Sequence, residues 1–270
     1  MRLFTYLIWF GLYFGYLTPV LAAPLLYWID YGDNALKRWD GTQITAYDTS
    51  TLPLLDSALC EADGYVYFSY FGPSSYYKIQ KSKTDFTSVA LYSTSSPSVY
   101  DAYYGLDALS SGENFFFTDS VIVYSATVNN GALSSSTLLD HADGIRFGRG
   151  IELDESGGKI YWIDSGKSLL TETAVNAIKR ADLDGTDVET LVSIGSARDL
   201  ALDLEYNKIY WADNAGTPSI KRSALDGSNT ETIVNSGLTY ITGIWRKWRA
   251  RRAFPFLAHH SSHFRNLSGY

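Results

Sequence analysis

A sequence unit recurs along the chain at a spacing of 45 to 49 residues. The stretch GRGIELDESGGKIYWID, residues 148–164, aligns without a gap with residues 103–119 at an offset of 45, and with residues 197–213 at an offset of 49. A weaker copy covers residues 55–70, and a partial copy, LLYWID, starts at Leu25. Repetition at this period is typical of propellers and solenoids, so the chain must fold as a series of similar units.

Each unit divides into four short segments with strand character. The first, GIELD, is rich in small and apolar residues. The second, KIYWID, has alternating side chains and aromatic residues, as expected of a strand packed on both faces. The third ends in Asp-Gly (AIKRADLDG), which favours a tight hairpin because glycine accepts a positive φ. The fourth, VETLV, alternates again. Four antiparallel strands in 40–50 residues predict an all-β fold in which each unit is one blade of a β-propeller.

The repeated pattern resembles a known family. Tyr-Trp-x-Asp, followed by Ile-Lys-Arg and Leu-Asp-Gly, is similar to the low-density lipoprotein receptor class B repeat, or YWTD repeat. The resemblance covers about Leu25 to Trp245 and is strongest from Gly148 onward. Ile163 and Ala212 stand where the family has Thr, and the second copy, Phe68-Ser69-Tyr70, lacks the Asp.

The resemblance implies a ring of six blades, whereas five aromatic cores are recognisable. The first core begins with no strand before it except a predicted signal sequence. We therefore expect residues 239–245 (TYITGIW) to close the ring as strand one of the first blade. The propeller is predicted to be incomplete, with five recognisable blades.

The motif residues are expected to be structural. The resemblance implies that Tyr and Trp fill the wedge between neighbouring blades, and that the Asp bonds neighbouring backbone or a basic side chain. The residues concerned are Tyr27, Trp28, Asp30, Phe117, Asp119, Tyr161, Trp162, Asp164, Tyr210, Trp211 and Asp213.

The two ends of the chain differ from the repeats. Residues 1–22 have a basic start, an uncharged apolar run and small residues near Ala22, which predicts a secretory signal peptide; an uncleaved anchor is the alternative. No later stretch is expected to span a membrane. The propeller is assigned to residues 23–245. Residues 246–270 form a basic tail without alternation, predicted to be disordered or aberrant, and it holds the sequon at Asn266.

The body of the chain is acidic. Of the 22 Lys and Arg, Arg2 and six in the tail lie outside it, which leaves a net charge of about −14 against 29 Asp and Glu. Nucleic acid is an unsuitable partner for such a surface. A basic protein ligand would be attracted to it, and acidity that serves solubility alone is the other explanation.

Antiparallel order places the start of strand one and the end of strand two on the same face. Aromatic and Arg residues, which protein interfaces favour, occur at these positions. The predicted ligand-binding face comprises Tyr31, Tyr70, Phe71, Tyr103, Tyr104, Arg149, Arg198 and Tyr240. Carboxylates on strand one are expected to line the channel mouth: Asp56, Asp107, Glu152 and Asp199.

Three functional hypotheses remain. The first is a secreted or cell-surface module that binds a protein ligand, without cofactor, metal or catalytic residue. The second is a calcium-dependent propeller hydrolase. Against it, Ala and Gly occupy some of the aligned channel positions where other repeats have carboxylates, and Ca²⁺ requires six to eight oxygens. The third is a structural fragment without a ligand of its own.

Overall fold

The computed structural model of the chain describes residues 26–30, 35–39, 43–48, 59–62, 65–71, 77–83, 89–92, 104–119, 121–129, 132–167, 174–236, 238, 241, 243–245 and 257–259. The signal peptide, Tyr31, Asp56, Tyr103, Tyr240 and Asn266 lie outside these residues. In the described part, no helix has the length and apolar character needed to cross a membrane.

The described residues form antiparallel β-sheets, which we number in chain order. Sheet 1 has three strands, sheets 2 to 5 have four each, and sheet 6 has two. The strands are β1 (Leu26–Asp30), β2 (Ala35–Trp39), β3 (Ile44–Asp48), β4 (Leu59–Ala62), β5 (Tyr65–Phe71), β6 (Tyr77–Lys83), β7 (Val89–Tyr92), β8 (Gly105–Ala108), β9 (Asn114–Thr118), β10 (Val123–Asn129), β11 (Ala132–Leu139), β12 (Gly148–Asp154), β13 (Lys159–Lys167), β14 (Ala174–Asp182), β15 (Glu189–Ser193), β16 (Leu200–Asp203), β17 (Lys208–Asp213), β18 (Ser219–Ala224), β19 (Glu231–Val234), β20 (Gly243–Trp245) and β21 (Leu257–His259).

The four segments of the sequence repeat become four strands in chain order. Sheet 4 runs β12-β13-β14-β15 and sheet 5 runs β16-β17-β18-β19. The turns between the third and fourth strands contain Gly185 and Gly227, at φ of 87° and 83°. These values lie in the left-handed region that glycine adopts without steric cost, so the Asp-Gly hairpins form as the sequence predicts.

The first strands of successive sheets lie side by side. β4 packs against β8, β8 against β12, β12 against β16, and β16 against β20. Sheets 2 to 5 therefore turn their strand one inward and their strand four outward, as propeller blades do around a channel. The all-β propeller fold is thus confirmed, and the number of blades in the ring stays a prediction.

Tryptophan of the motif fills the space between neighbouring sheets. Trp162 is fully buried and packs in one cluster with Phe116 of sheet 3 and with Ile145, in the connection between sheets 3 and 4. Trp211 packs in the same way with Tyr161 and Ile178 of sheet 4. One large aromatic ring per repeat thereby buries apolar surface of two sheets at once, which ties each blade to the one before it.

Among the strands that the structure describes, the predicted closure of the ring is not seen. β20, expected to pair with β1, pairs instead with β21, through Gly243↔His259 and Trp245↔Leu257. β20 also lies against β16, in the position of strand one of a further blade. Residues 257–259 thus take the strand-two position beside β20 that β1 was expected to fill. This part of the predicted tail is therefore paired.

Candidate functional site

The upper face is the side on which strand one begins and strand two ends. The lower face is the side that carries two hairpins of each sheet, the one between strands one and two and the one between strands three and four. The upper face is where the sequence places the ligand-binding residues. Its loops in sheets 4 and 5 are held by the aspartates of the repeated motif.

Asp164 fixes the loop that leads into β12. Its Oδ1 accepts hydrogen bonds from the amides of Arg146 and Phe147 at 3.0 and 2.9 Å. Its Oδ2 accepts from Lys179 Nζ at 2.7 Å, and Lys179 also donates to the carbonyl of Gly144 at 2.7 Å. Both side chains are buried. A buried carboxylate with these donors holds the loop at both ends and sets the position of Phe147.

Two further motif aspartates, whose side chains are described, are held in related ways. Asp213 accepts from the amides of Ser196 and Ala215 at 2.9 and 3.0 Å and from Lys221 Nζ at 2.9 Å. Asp119 accepts from the amides of its own loop, Val121 and Ile122, at 2.8 and 2.7 Å. Each of these carboxylates organises backbone on the upper face rather than presenting a reactive group.

Arg149 contacts two neighbouring aromatic rings on the upper face. Its guanidinium carbon is 4.8 Å from the ring centre of Tyr104 and 4.5 Å from that of Phe147. The two rings are 5.3 Å apart and tilted by 47°. Arg149 Nε donates to Ser165 Oγ at 3.1 Å. All four residues are half-buried. We call Tyr104, Phe147, Arg149 and Ser165 the arginine cluster.

A β-bulge directs Arg149 toward this cluster. The register between β12 and β13 shifts between Arg149 and Ile151, so that Gly150 has no partner across the pair. A Cβ atom at Gly150 would lie 2.5 Å from Asp199 Oδ1 and 2.7 Å from Asp199 Cα. Only glycine lets β12 approach the next sheet this closely, and the bulge changes the direction of the side chain beside it.

The channel carboxylates connect neighbouring sheets. Asp107 Oδ1 accepts from the amide of Ala108 at 2.8 Å, and its Oδ2 accepts from the amide of Leu153, one sheet further, at 2.9 Å. Asp199 repeats this arrangement with Leu200 at 3.0 Å and with Ile244 at 3.1 Å. The Glu152 carboxylate is bonded to the amide of Leu202, also one sheet further. We call these bonds the inter-sheet latches.

Burial raises the pKa values of all three carboxyl groups. Desolvation is the largest cause, and it raises the pKa of Asp107 and of Asp199 to about 7. Desolvation and then the charges of Asp107 and Asp199 raise the pKa of Glu152 well above its usual range. The bonded backbone amides act in the opposite direction, because they favour the ionised form.

The exposed acidic residues of sheets 4 and 5 lie on the lower face. Within the described residues of these sheets, the exposed carboxylates are Glu155, Asp184, Asp187, Glu189, Glu205, Asp226 and Glu231. All seven follow strand one or strand three. In these two sheets, the exposed carboxylates after strands one and three therefore lie on the side opposite the predicted ligand face, whereas the exposed Asp143, in the turn that leads into β12, lies on the upper face.

The structure brings together only part of the predicted face. Tyr104 and Arg149 are in contact, and Arg198 occupies the equivalent position one repeat later, half-buried. Tyr70 and Phe71 end β5, where only their backbone is described. Phe147 was not predicted, although an aromatic residue directly before strand one was a usable signal. Among described residues, no group of three or more His, Cys, Asp or Glu is arranged to hold a metal ion.

Known proteins resemble the chain over parts of its length. No family model matches it. A low-density lipoprotein receptor-related protein 1 from Pyricularia oryzae is 34% identical over 87 residues, which cover 30% of this chain and 28% of that protein. A human low-density lipoprotein receptor-related protein 5-like protein is 42% identical over 67 residues, which cover 24% of each. The chain thus spans about a quarter of the curated relatives it matches.

Solved structures match over most of the chain. A chain of a nidogen/laminin complex superimposes with a TM-score of 0.67 at 16% identity, covering 87% of this chain and 84% of that one. A TolB protein from Agrobacterium tumefaciens gives a TM-score of 0.61 at 16% identity, covering 84% and 86%.

Four-stranded sheets that turn their first strands inward define a β-propeller, and the similar solved structures agree with this fold. The receptor-related sequence matches, each over about a quarter of the chain, bear out the resemblance of its repeats to the low-density lipoprotein receptor class B (YWTD) repeat.

Proposed function

We propose that this propeller acts outside the cell as a binding module for a protein ligand, which docks on the upper face. The arginine cluster is the observation that carries the proposal. It combines two aromatic rings and an arginine, the side chains that most often dominate binding energy at protein interfaces.

The support beneath the cluster suits such a role. Asp164 and Lys179 hold the loop that carries Phe147, and Ser165 fixes the Nε of Arg149. A surface that is ordered before the ligand arrives loses less conformational entropy on binding. The receptor-related sequence relatives support a role in ligand binding, as does the protein complex in which the nidogen neighbour was solved.

The calcium-dependent hydrolase receives no support from the described residues. Asp107 and Asp199 each use both carboxylate oxygens for backbone amides. Ca²⁺ needs six to eight converging oxygens, and these carboxylates would have to give up the inter-sheet latches to supply them.

The test compares variants of the two faces in a binding measurement. The full chain is immobilised, partners are captured from an extracellular extract, and the affinity of each captured protein is then measured for every variant. Tyr104→Ala with Phe147→Ala should weaken binding by about 2 kcal/mol, or roughly thirtyfold. Tyr206→Ala on the lower face, where Tyr206 is 65% exposed, is the matched control.

Loss of binding in the upper-face variant, with the control unchanged, supports the proposal. Equal affinity in both variants for every captured protein would show that the upper face does not bind. A thermal unfolding midpoint close to that of the wild type must accompany either result, since Phe147 also contacts the loop held by Asp164.

A further inference from the structure

We infer that the outer edge of sheet 3 is a self-association surface, on which two copies of the chain pair their β11 strands in antiparallel orientation. Ser135 of one copy lies opposite Ser135 of the second copy at the centre of this pair. The inference goes beyond the proposed function, because it assigns a second interaction surface, at a sheet edge rather than on the upper face.

The outer edge of β11 is open along most of its length. β11 is strand four of sheet 3, and among the described strands β10 alone is hydrogen-bonded to it. Near its end, the hairpin of sheet 4 comes close: a Cβ atom at Gly185 would lie 2.9 Å from the carbonyl oxygen of Leu138. The segment that another strand can approach is therefore residues 132–137, in which Ser134 and Ser136 have exposed side chains.

The hydrogen bonds of β10 show which backbone groups of β11 point outward. The amide of Val128 donates to the carbonyl of Glu113, on the β9 side, at 2.8 Å. Val128 lies opposite Leu133, so this is a non-hydrogen-bonded pair and Leu133 turns its N–H and C=O away from β10. Because the two kinds of pair alternate along a strand, Ser135 and Thr137 also direct their N–H and C=O groups outward.

This edge lacks the protection that the outer strands of sheets 4 and 5 have. Proteins usually protect edge strands by shortness, by charged residues or by bulges. β15 and β19 have five and four residues, each begins with a glutamate, and each has a register shift in its pairing with strand three. β11 has eight residues, with its register shift only near Leu139. Residues 120–139 contain no Asp, Glu, Lys or Arg.

A second copy of the chain fits this edge because the edge is complementary to itself. With Ser135 opposite Ser135, Leu133 lies opposite Thr137 of the second copy, so every outward-facing residue meets an outward-facing residue. Ser134 then lies opposite Ser136, and a contact of this kind already exists between β10 and β11, where Ser125 Oγ is 3.2 Å from Ser136 Oγ.

The lack of charge also favours a copy of the same chain over a charged segment of another protein. Two identical edges would bring charges of one sign together, which destabilises a strand pair. An uncharged edge avoids this repulsion, whereas it offers a charged segment no electrostatic complement.

The experiment measures the self-association of the full chain by sedimentation equilibrium. It compares the wild type with Ser134→Lys plus Ser136→Lys, the double-lysine variant, and with Ser134→Lys plus Ser136→Glu, the lysine–glutamate variant. In the antiparallel pair position 134 faces position 136, so lysine meets lysine in the first variant and glutamate in the second.

The control is Ser193→Lys plus Thr230→Lys, which adds the same charge as the double-lysine variant at exposed positions in sheets 4 and 5. Circular dichroism and thermal unfolding check that each variant is folded. If the double-lysine variant does not fold, Ser135→Pro replaces it, because proline removes an outward-facing N–H that the pairing with β10 does not use.

The wild type and the control should form dimers with the same Kd. The double-lysine variant, or Ser135→Pro in its place, should raise the Kd about tenfold or more. The lysine–glutamate variant should dimerise at least as tightly as the wild type.

Three results would overturn the inference. A wild type that remains monomeric at about 100 μM does not use this edge for self-association. Equal dimerisation of the wild type and all variants would place the interface elsewhere. Loss of the dimer in both edge variants would contradict the antiparallel register centred on Ser135.

Discussion

Lys179 Nζ lies 2.7 Å from Asp164 Oδ2, and the same pair recurs one repeat later as Lys221 and Asp213 at 2.9 Å. The two pairs differ in exposure: the side chain of Lys179 is 10% exposed and that of Lys221 is 32% exposed. The chain therefore provides its own comparison between a buried and a half-exposed ion pair of the same motif.

Lys179→Met should destabilise the protein by about 3–5 kcal/mol, because it leaves the carboxylate of Asp164 buried without its counter-charge. Lys221→Met should cost less, about 1–3 kcal/mol, because water reaches the side chain of Lys221, although the carboxylate of Asp213 is only 3% exposed. Urea unfolding monitored by tryptophan fluorescence measures both. Similar costs for the two variants would contradict the role of burial.

Trp162→Ala should destabilise the protein by about 3–5 kcal/mol, as expected when a fully buried aromatic side chain is removed from between two sheets. Tyr206→Ala, at an exposed turn, should change the free energy of unfolding by no more than about 0.5 kcal/mol. Guanidinium unfolding measures both. A cost below 1 kcal/mol at Trp162 would be inconsistent with its burial between sheets 3 and 4.

Gly150→Ala should destabilise the protein by about 1–3 kcal/mol, because the added Cβ collides with Asp199. Gly158→Asn is the control: its φ is 66°, no atom lies within 4 Å of the added Cβ, and the equivalent residue of sheet 5 is Asn207 at φ 53°. The control should be neutral to within about 0.5 kcal/mol. If Gly150→Ala is equally neutral, the close approach of β12 to Asp199 is wrong.

The stability of the protein should fall as the pH rises from about 5 to about 7. The pKa of Asp199 is raised from its usual 3.8 to about 7 in the folded state, so the folded state binds its proton more tightly than the unfolded state does. The stabilisation is complete below pH 3.8 and is lost as the pH rises through about 7.

Asp199→Asn should therefore make the dependence of unfolding free energy on pH shallower, by up to about 1.4 kcal/mol per pH unit in this window. Urea unfolding at pH 5, 6, 7 and 8 measures the slope. Asp184→Asn is the control, because hydrogen bonds from Thr186 lower the pKa of this exposed carboxyl group, away from the window. An unchanged slope in Asp199→Asn would show that its carboxyl group is not desolvated in solution.

Secretion of the chain should remove residues 1–22. N-terminal sequencing of protein recovered from the medium of expressing cells should start near Ala23. Retention of the apolar stretch in a membrane fraction would instead indicate an uncleaved anchor.

The sequence predicted the blades well because their signals are local. The alternation of side chains around Tyr161-Trp162 and the Asp-Gly hairpins depend on residues close in the chain. The repeat period can be read directly from the sequence. The side-chain partners between blades were not predictable. The bond from Leu153 to Asp107 joins residues 46 apart, and which amide faces the carboxylate depends on the lateral distance between strands. The bulge at Gly150 depends in the same way on the space left by Asp199.

The position of the exposed carboxylates after strands one and three could have been predicted from the sequence. Once four strands are assigned, the residues after strands one and three must share one face, and LDESG and LDG place their acidic residues there. The net charge does not reveal the position of these carboxylates, because it gives a single value for both faces of the propeller.

The inter-sheet latches all point the same way along the chain. Asp107 accepts from the amide of Leu153, Glu152 from that of Leu202, and Asp199 from that of Ile244, so the amide of the later sheet always donates to the carboxylate of the earlier one. The series of sheets thus has a polarity. Losing a sheet from the C-terminal side exposes a carboxyl group of its predecessor to water, where it ionises, whereas losing one from the N-terminal side exposes only a neutral amide. Stepwise unravelling from the C-terminal end should accordingly become easier as the pH rises through about 7.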